Sequence, residues 1–213
     1  MAAPTTDVAL CNLALDRIGQ ASISSVSTPT TTVEDIVARH YDSTRREVLR
    51  KYVFNFSKKY AVLTASATVT PAFGFGTAYA LPNDFVRLLA LGDVTINGDV
   101  AAANYDISDG YIYTDSGDSS GLNIQYIYDA VTVSKFDPLF VRVFVLQLAA
   151  NLAYKFTLKP SLLQGILSEL VDVAAAAAAV AGQEKPPRRI ERSQWVSARR
   201  GRSGGIDRRY IPD

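Results

Sequence analysis

Few side chains in this sequence could do chemistry. There is one histidine, His40, and one cysteine, Cys11. A single cysteine excludes an internal disulfide framework and a multi-cysteine zinc site. A single histidine leaves acid–base catalysis and metal ligation short of their usual supplier. His40 reads as a helix contact beside Arg39 and Asp42, and Cys11 as a small core residue on an apolar helix face. Glycoside hydrolysis would need two positioned carboxylates, one of them in an apolar pocket. The glutamates before the last thirty-odd residues are Glu34, Glu47 and Glu169. The first two read as solvated or capping groups, and Glu169 follows an apolar stretch without a partner identifiable from sequence. No catalytic residue, cofactor or metal is therefore assigned.

Two glycine-bearing strings point elsewhere on inspection. Phe73-Gly74-Phe75-Gly76 lacks the spacing and the Lys-Ser/Thr ending of a phosphate loop, so it reads as a turn. Asp115-Ser116-Gly117-Asp118-Ser119-Ser120-Gly121 has acidic residues suited to calcium, but its twelfth position is Tyr126 where a bidentate Glu is required. A hairpin loop is the better reading.

Charge is unevenly spread. Residues 183–213 hold nine Lys/Arg against four Asp/Glu, and the rest of the chain holds thirteen against seventeen. A basic tail of this kind binds nucleic acid or an acidic protein surface. On nucleic acid, Arg188, Arg189, Arg192, Arg199, Arg200, Arg202, Arg208 and Arg209 would meet phosphates, with Trp195 stacked on a base. On protein, the same arginines would act as forked donors, with Trp195 and Tyr210 as anchors. Ile190, Val196, Ile206 and Ile211, interspersed among them, favour the protein groove.

The elements that must position these groups follow from periodicity. Thr5 or Thr6 caps a first helix that Gly19 stops. Thr32-Val33-Glu34-Asp35 has capping-box spacing, and Val37, Tyr41, Thr44, Val48 and Tyr52 continue a helix to about Ser57, roughly 35–40 Å long. Phe85–Leu91, Tyr105–Ser108, Tyr111–Thr114 and Leu122–Tyr128 read as strands, with Asn97-Gly98 and Asp109-Gly110 as type I′ hairpin turns. Asp137 and Pro138 open a helix that is apolar on almost every face. Pro160 opens the last helix, which runs into six alanines, Ala174–Ala179, read as a packing surface.

With 213 residues, 48% apolar and 20% charged, the chain has the composition of a globular protein with one substantial core or two small ones. The longest run without polar residues, Val173–Ala181, is too short for a bilayer. The N-terminal stretch lacks the pattern of a secretory signal. The expected fold class is α+β: a helical bundle (1–60 and 137–182), an inserted antiparallel β meander (61–136) and an extended basic tail (183–213).

Several strings, in order, resemble one family. Leu10-Cys11-Asn12-Leu13-Ala14-Leu15-Asp16-Arg17-Ile18-Gly19 with Ile23, then Tyr41-Asp42-Ser43-Thr44-Arg45-Arg46-Glu47-Val48-Leu49-Arg50, then Phe54-Asn55-Phe56-Ser57-Lys58-Lys59 are similar to motifs of the head-to-tail adaptor of short-tailed phages, also called tail tubular protein A. Tyr79-Ala80-Leu81-Pro82-Asn83-Asp84 resembles its Tyr-x-Leu-Pro-x-Asp element. Tyr105-x-Ile107, Gly110-x-Ile112-x-Thr114-Asp115 and Phe136-Asp137-Pro138-x-Phe140 fit as well. The likeness covers roughly residues 8–158. It departs at Phe54, where the family has Trp, and at Arg46, where it has Asp, which removes a possible ion pair.

The resemblance implies a structural virion protein made in the host cytoplasm. It would form a ring, of twelve copies in that family, joining the portal protein to the tail nozzle protein and extending the DNA channel, with no membrane. The tail, through Arg188, Arg189, Arg192, Trp195, Arg199, Arg200 and Tyr210, would grip the portal or a neighbouring subunit. Asp115, Asp118 and Gly121 would face the next tail component. The rival readings are a DNA-contacting head-completion protein and a virion-associated cell-wall hydrolase.

Overall fold

The computed structural model describes residues 4–92, 94–95, 104–117, 121–157 and 159–184. It is an α+β fold of four α-helices and two antiparallel sheets.

Helix starts sit where local capping dictates. In α1 (Asp7–Arg17) the Thr6 side chain accepts from the Ala9 amide. At its far end Gln20 N bonds Leu15 O and Gly19 N bonds Asp16 O, the pattern that needs Gly19 in its left-handed conformation, φ +69°. In α2 (Thr32–Lys51) the capping box is Thr31 with Glu34, one residue earlier than the spacing from Thr32 suggests. The helix also ends at Lys51, short of Ser57, because Tyr52 turns extended (φ −115°, ψ 149°). It is therefore about 30 Å long. What stops it is tertiary: the Phe54, Phe56 and Phe136 rings pack 5.1, 5.0 and 4.7 Å from that of Phe140. Leaving the helix lets Phe54 reach that cluster.

The strands are β1 (Lys58–Leu63), β2 (Ala78–Ala80), β3 (Phe85–Leu91), β4 (Val94–Thr95), β5 (Tyr105–Ser108), β6 (Tyr111–Thr114) and β7 (Leu122–Tyr128). They divide into a four-stranded sheet, β1-β7-β3-β4, and a three-stranded sheet, β2-β6-β5. Asp109-Gly110 makes the expected primed turn between β5 and β6, with both φ positive (49° and 77°). Asn97-Gly98 lies outside the described residues. Register shifts in the β3–β7 ladder, after Phe85 and after Leu88, re-aim β3 side chains. Val86 and Leu89 then join the helical core, while Leu88 and Leu91 join Leu63, Tyr79, Ile112, Leu122, Ile124 and Tyr126 in a second core.

Helix α3 (Pro138–Phe156), capped by Asp137, is the central one, with Phe140, Phe144, Leu146, Leu148 and Leu152 fully buried. Helix α4 (Pro160–Gln183) sends Ile166, Leu170, Val173, Ala174 and Ala177 into the same core. Gln183–Asp213 form a unit separate from Met1–Gly182.

Candidate assembly surfaces

The chemistry-bearing side chains are engaged in holding the fold. Glu34 is only 2% exposed. Its Oε1 accepts from Ser24 N, Ser24 Oγ and Ser25 N, and its Oε2 from Thr30 N, Thr30 Oγ1 and Thr31 N, all at 2.8–3.2 Å. The Thr30 and Ser24 amides, then their hydroxyls, hold this carboxyl far below the usual carboxylate range. Glu34 is thus a buried clasp between the 20–31 loop and α2, not a solvated group. Asn12 clasps the same loop, its side chain exchanging two hydrogen bonds with the Ile23 backbone at 2.8 and 3.1 Å.

Glu169 does have partners. Its carboxylate accepts from Arg17 on α1 and Arg142 on α3, each at 3.1 Å, so it ties α4 to both helices. Arg46 has a counterion too. Asp129 takes Arg46 Nε at 2.9 Å and Arg45 Nη2 at 3.0 Å, while Arg45 also pairs with Asp42. Arg46 is thus held in an ion pair with Asp129. Glu47 is exposed and takes a 3.4 Å bond from Gln147 Nε2. Cys11 is fully buried, and burial, with the nearby Asp7 charge, pushes its thiol up to about 12. His40 is half-buried on α2. Among the described residues no group of three His, Cys, Asp or Glu could hold a metal ion.

Asp115 and Gly121 shape their loop. Asp115 Oδ1 accepts from Gly76 N at 2.6 Å, bridging to the 73–76 turn. Gly121, at φ +116°, has no room for a side chain, since a Cβ there would meet Leu63 O at 2.6 Å. Asp118 lies outside the described residues. So do Arg188, Arg189, Arg192, Trp195, Arg199, Arg200 and Tyr210.

What the fold leaves uncovered is apolar. Leu167, Val171, Ala175, Ala178 and Gly182 follow one another at four-, four-, three- and four-residue steps along the outer side of α4, and all are exposed. Val171 is 67% exposed and Leu167 and Val180 42% each. Both α3 and α4 are long and apolar enough to cross a bilayer by length and composition. Most of α3 is buried, as suits a core helix, whereas most of α4 is not. The alanine run therefore packs inward through Ala174 and Ala177 and presents its other alanines outward. A second uncovered area is the outer face of β1 and β7, where Tyr60 and Val62 border a shallow cleft of about 510 Å³ with Asn123 and Gln125.

No family model matches this chain, and no curated protein does. The surfaces themselves carry the functional argument. The alanine run marked α4 as a packing helix, but both its inner and its outer sides are apolar, and a helix apolar on two sides gives no sign in sequence of which side is left bare.

Proposed function

We propose that this chain is a structural virion protein, a ring-forming adaptor that joins a portal to a tail nozzle and extends the DNA channel. The observation that carries the reading is the outward ridge of α4. A contiguous apolar surface of this kind marks an interaction site, because leaving it in water forgoes roughly 25 cal/mol for every Å² that a partner would cover. A second copy of the chain is the partner that a long, smooth, alanine-rich helix suits, since small side chains let a neighbouring element approach closely. Contacts between unlike surfaces of successive copies close into a ring when the rotation permits. Lipid is a poorer match, because Glu169 and Asp172 lie midway along α4 and the Glu169 carboxylate is committed to Arg17 and Arg142.

The order of family-like motifs over residues 8–158 supports the same reading. So does the use of Glu34 as a clasp and of Glu169 as an ion-pair partner. The test is electron microscopy of the purified chain, alone and with portal protein. Rings are expected, and Val171→Glu on the outer ridge should abolish them while leaving the monomer folded. Particles that stay monomeric in both settings would overturn the reading.

A further inference from the structure

We propose that the outward face of the three-stranded sheet receives the arginine-rich C-terminal segment, residues 185–213, of a second copy of this chain. The proposal rests on the ring reading above and names a second contact between neighbours.

The face is defined by register. Tyr113 lies between Ala78 and Asp106, and Tyr111 between Ala80 and Ser108, so these side chains share one side of the sheet. Tyr79 and Ile112, on the opposite side, are buried in the second core. The Tyr111 and Tyr113 rings stand 6.3 Å apart, inclined at 44°, and are half-buried. Asp106 and Asp109 beside them are exposed. Among the described residues, Asp106 Oδ1 accepts only from the next amide, Ile107 N, at 2.8 Å. Neither carboxylate is in an ion pair among the described residues. Strand β5, which carries Asp106, is an edge of its sheet.

Tyrosine faces beside unpaired carboxylates suit guanidinium groups, which stack on the rings and donate in forks to the acids. This chain contains a matching segment. Residues 185–213 hold eight arginines, while residues 60–134 hold eight aspartates and one arginine. The two regions have opposite charge and similar count. Fully extended, twenty-nine residues span about 100 Å at most. A donor segment and an acceptor face on different parts of one chain make a contact between unlike surfaces, the kind that closes rings.

Trp195 is the chain's only tryptophan, so its fluorescence reports on this segment alone. In the full-length protein its emission should shift to the blue and its anisotropy should rise as concentration increases. Both changes should reverse in about 1 M salt, where the screening length is about 3 Å. Asp106→Lys/Asp109→Lys and Arg199→Glu/Arg200→Glu chains should each lose the response alone, and mixing the two should restore it, because the reversed face then meets a reversed segment. A response independent of concentration, one that appears only with DNA or portal, or one unchanged by the aspartate reversals would overturn the proposal. The ring reading is judged separately: Val171→Glu should remove rings but leave the pairwise Trp195 response.

Discussion

Glu169 on α4 and Arg17 on α1, separated by 152 residues of chain, are joined side chain to side chain at 3.1 Å. With Arg142 on α3 as the second donor, the carboxylate draws three helices together at one point. Both donors are about half exposed, so each pair is worth less than about 1 kcal/mol. Glu169→Gln should therefore lower stability by about 1 kcal/mol, read as a shift in the urea midpoint. It also controls for hydrolase activity. Neither wild type nor variant should clear a peptidoglycan suspension, and clearance by the wild type alone would revive the hydrolase reading.

The Glu34 clasp has a direction with pH. Its carboxyl titrates lower in the folded chain than the ordinary 4.5, so its contribution is complete above that value and is lost as pH falls below it. Melting temperature should drop more steeply between about pH 5 and pH 3 for wild type than for Glu34→Gln. At neutral pH the variant should already melt several degrees lower, since six donors then face an amide that can accept through one oxygen only.

Gly121→Ala should cost about 1–3 kcal/mol, combining a backbone conformation that disfavours side chains with a collision against Leu63 O. Circular dichroism during thermal unfolding measures it. A neutral result would mean that the loop is free to rearrange.

Cys11 should be inert to thiol reagents in the folded protein near pH 8 and fully reactive in denaturant, because the thiolate is the nucleophile and burial suppresses it. Rapid labelling without denaturant would contradict the packing of α1.

Much of the architecture was legible locally. Thr6, Asp137 with Pro138, Pro160 and Asp109-Gly110 each act through neighbours a few residues away, and each marks an element end where expected. What escaped depends on distant chain. Strand β1 follows a helix and begins Lys-Lys, and it is a strand because β7 lies alongside it, Lys58 opposite Ile127. The end of α2 was hidden because Tyr52 continues the helical period, yet Phe54 is drawn into the aromatic cluster on Phe140. The partners of Glu169 and Arg46 lie 152 and 83 residues away. The assembly surface was half legible: the alanine run was visible, but which of its faces stays bare is decided only when α4 settles on the core.

The central claim is that the bare α4 ridge of one copy docks on a different surface of the next, closing a ring. Electron microscopy of the purified chain, with and without portal protein, against the Val171→Glu variant tests it most directly. Closed rings of the wild type, and folded variant particles that form no closed ring, are the predicted result; wild type that stays monomeric in both settings, or rings that persist in the variant, would contradict it.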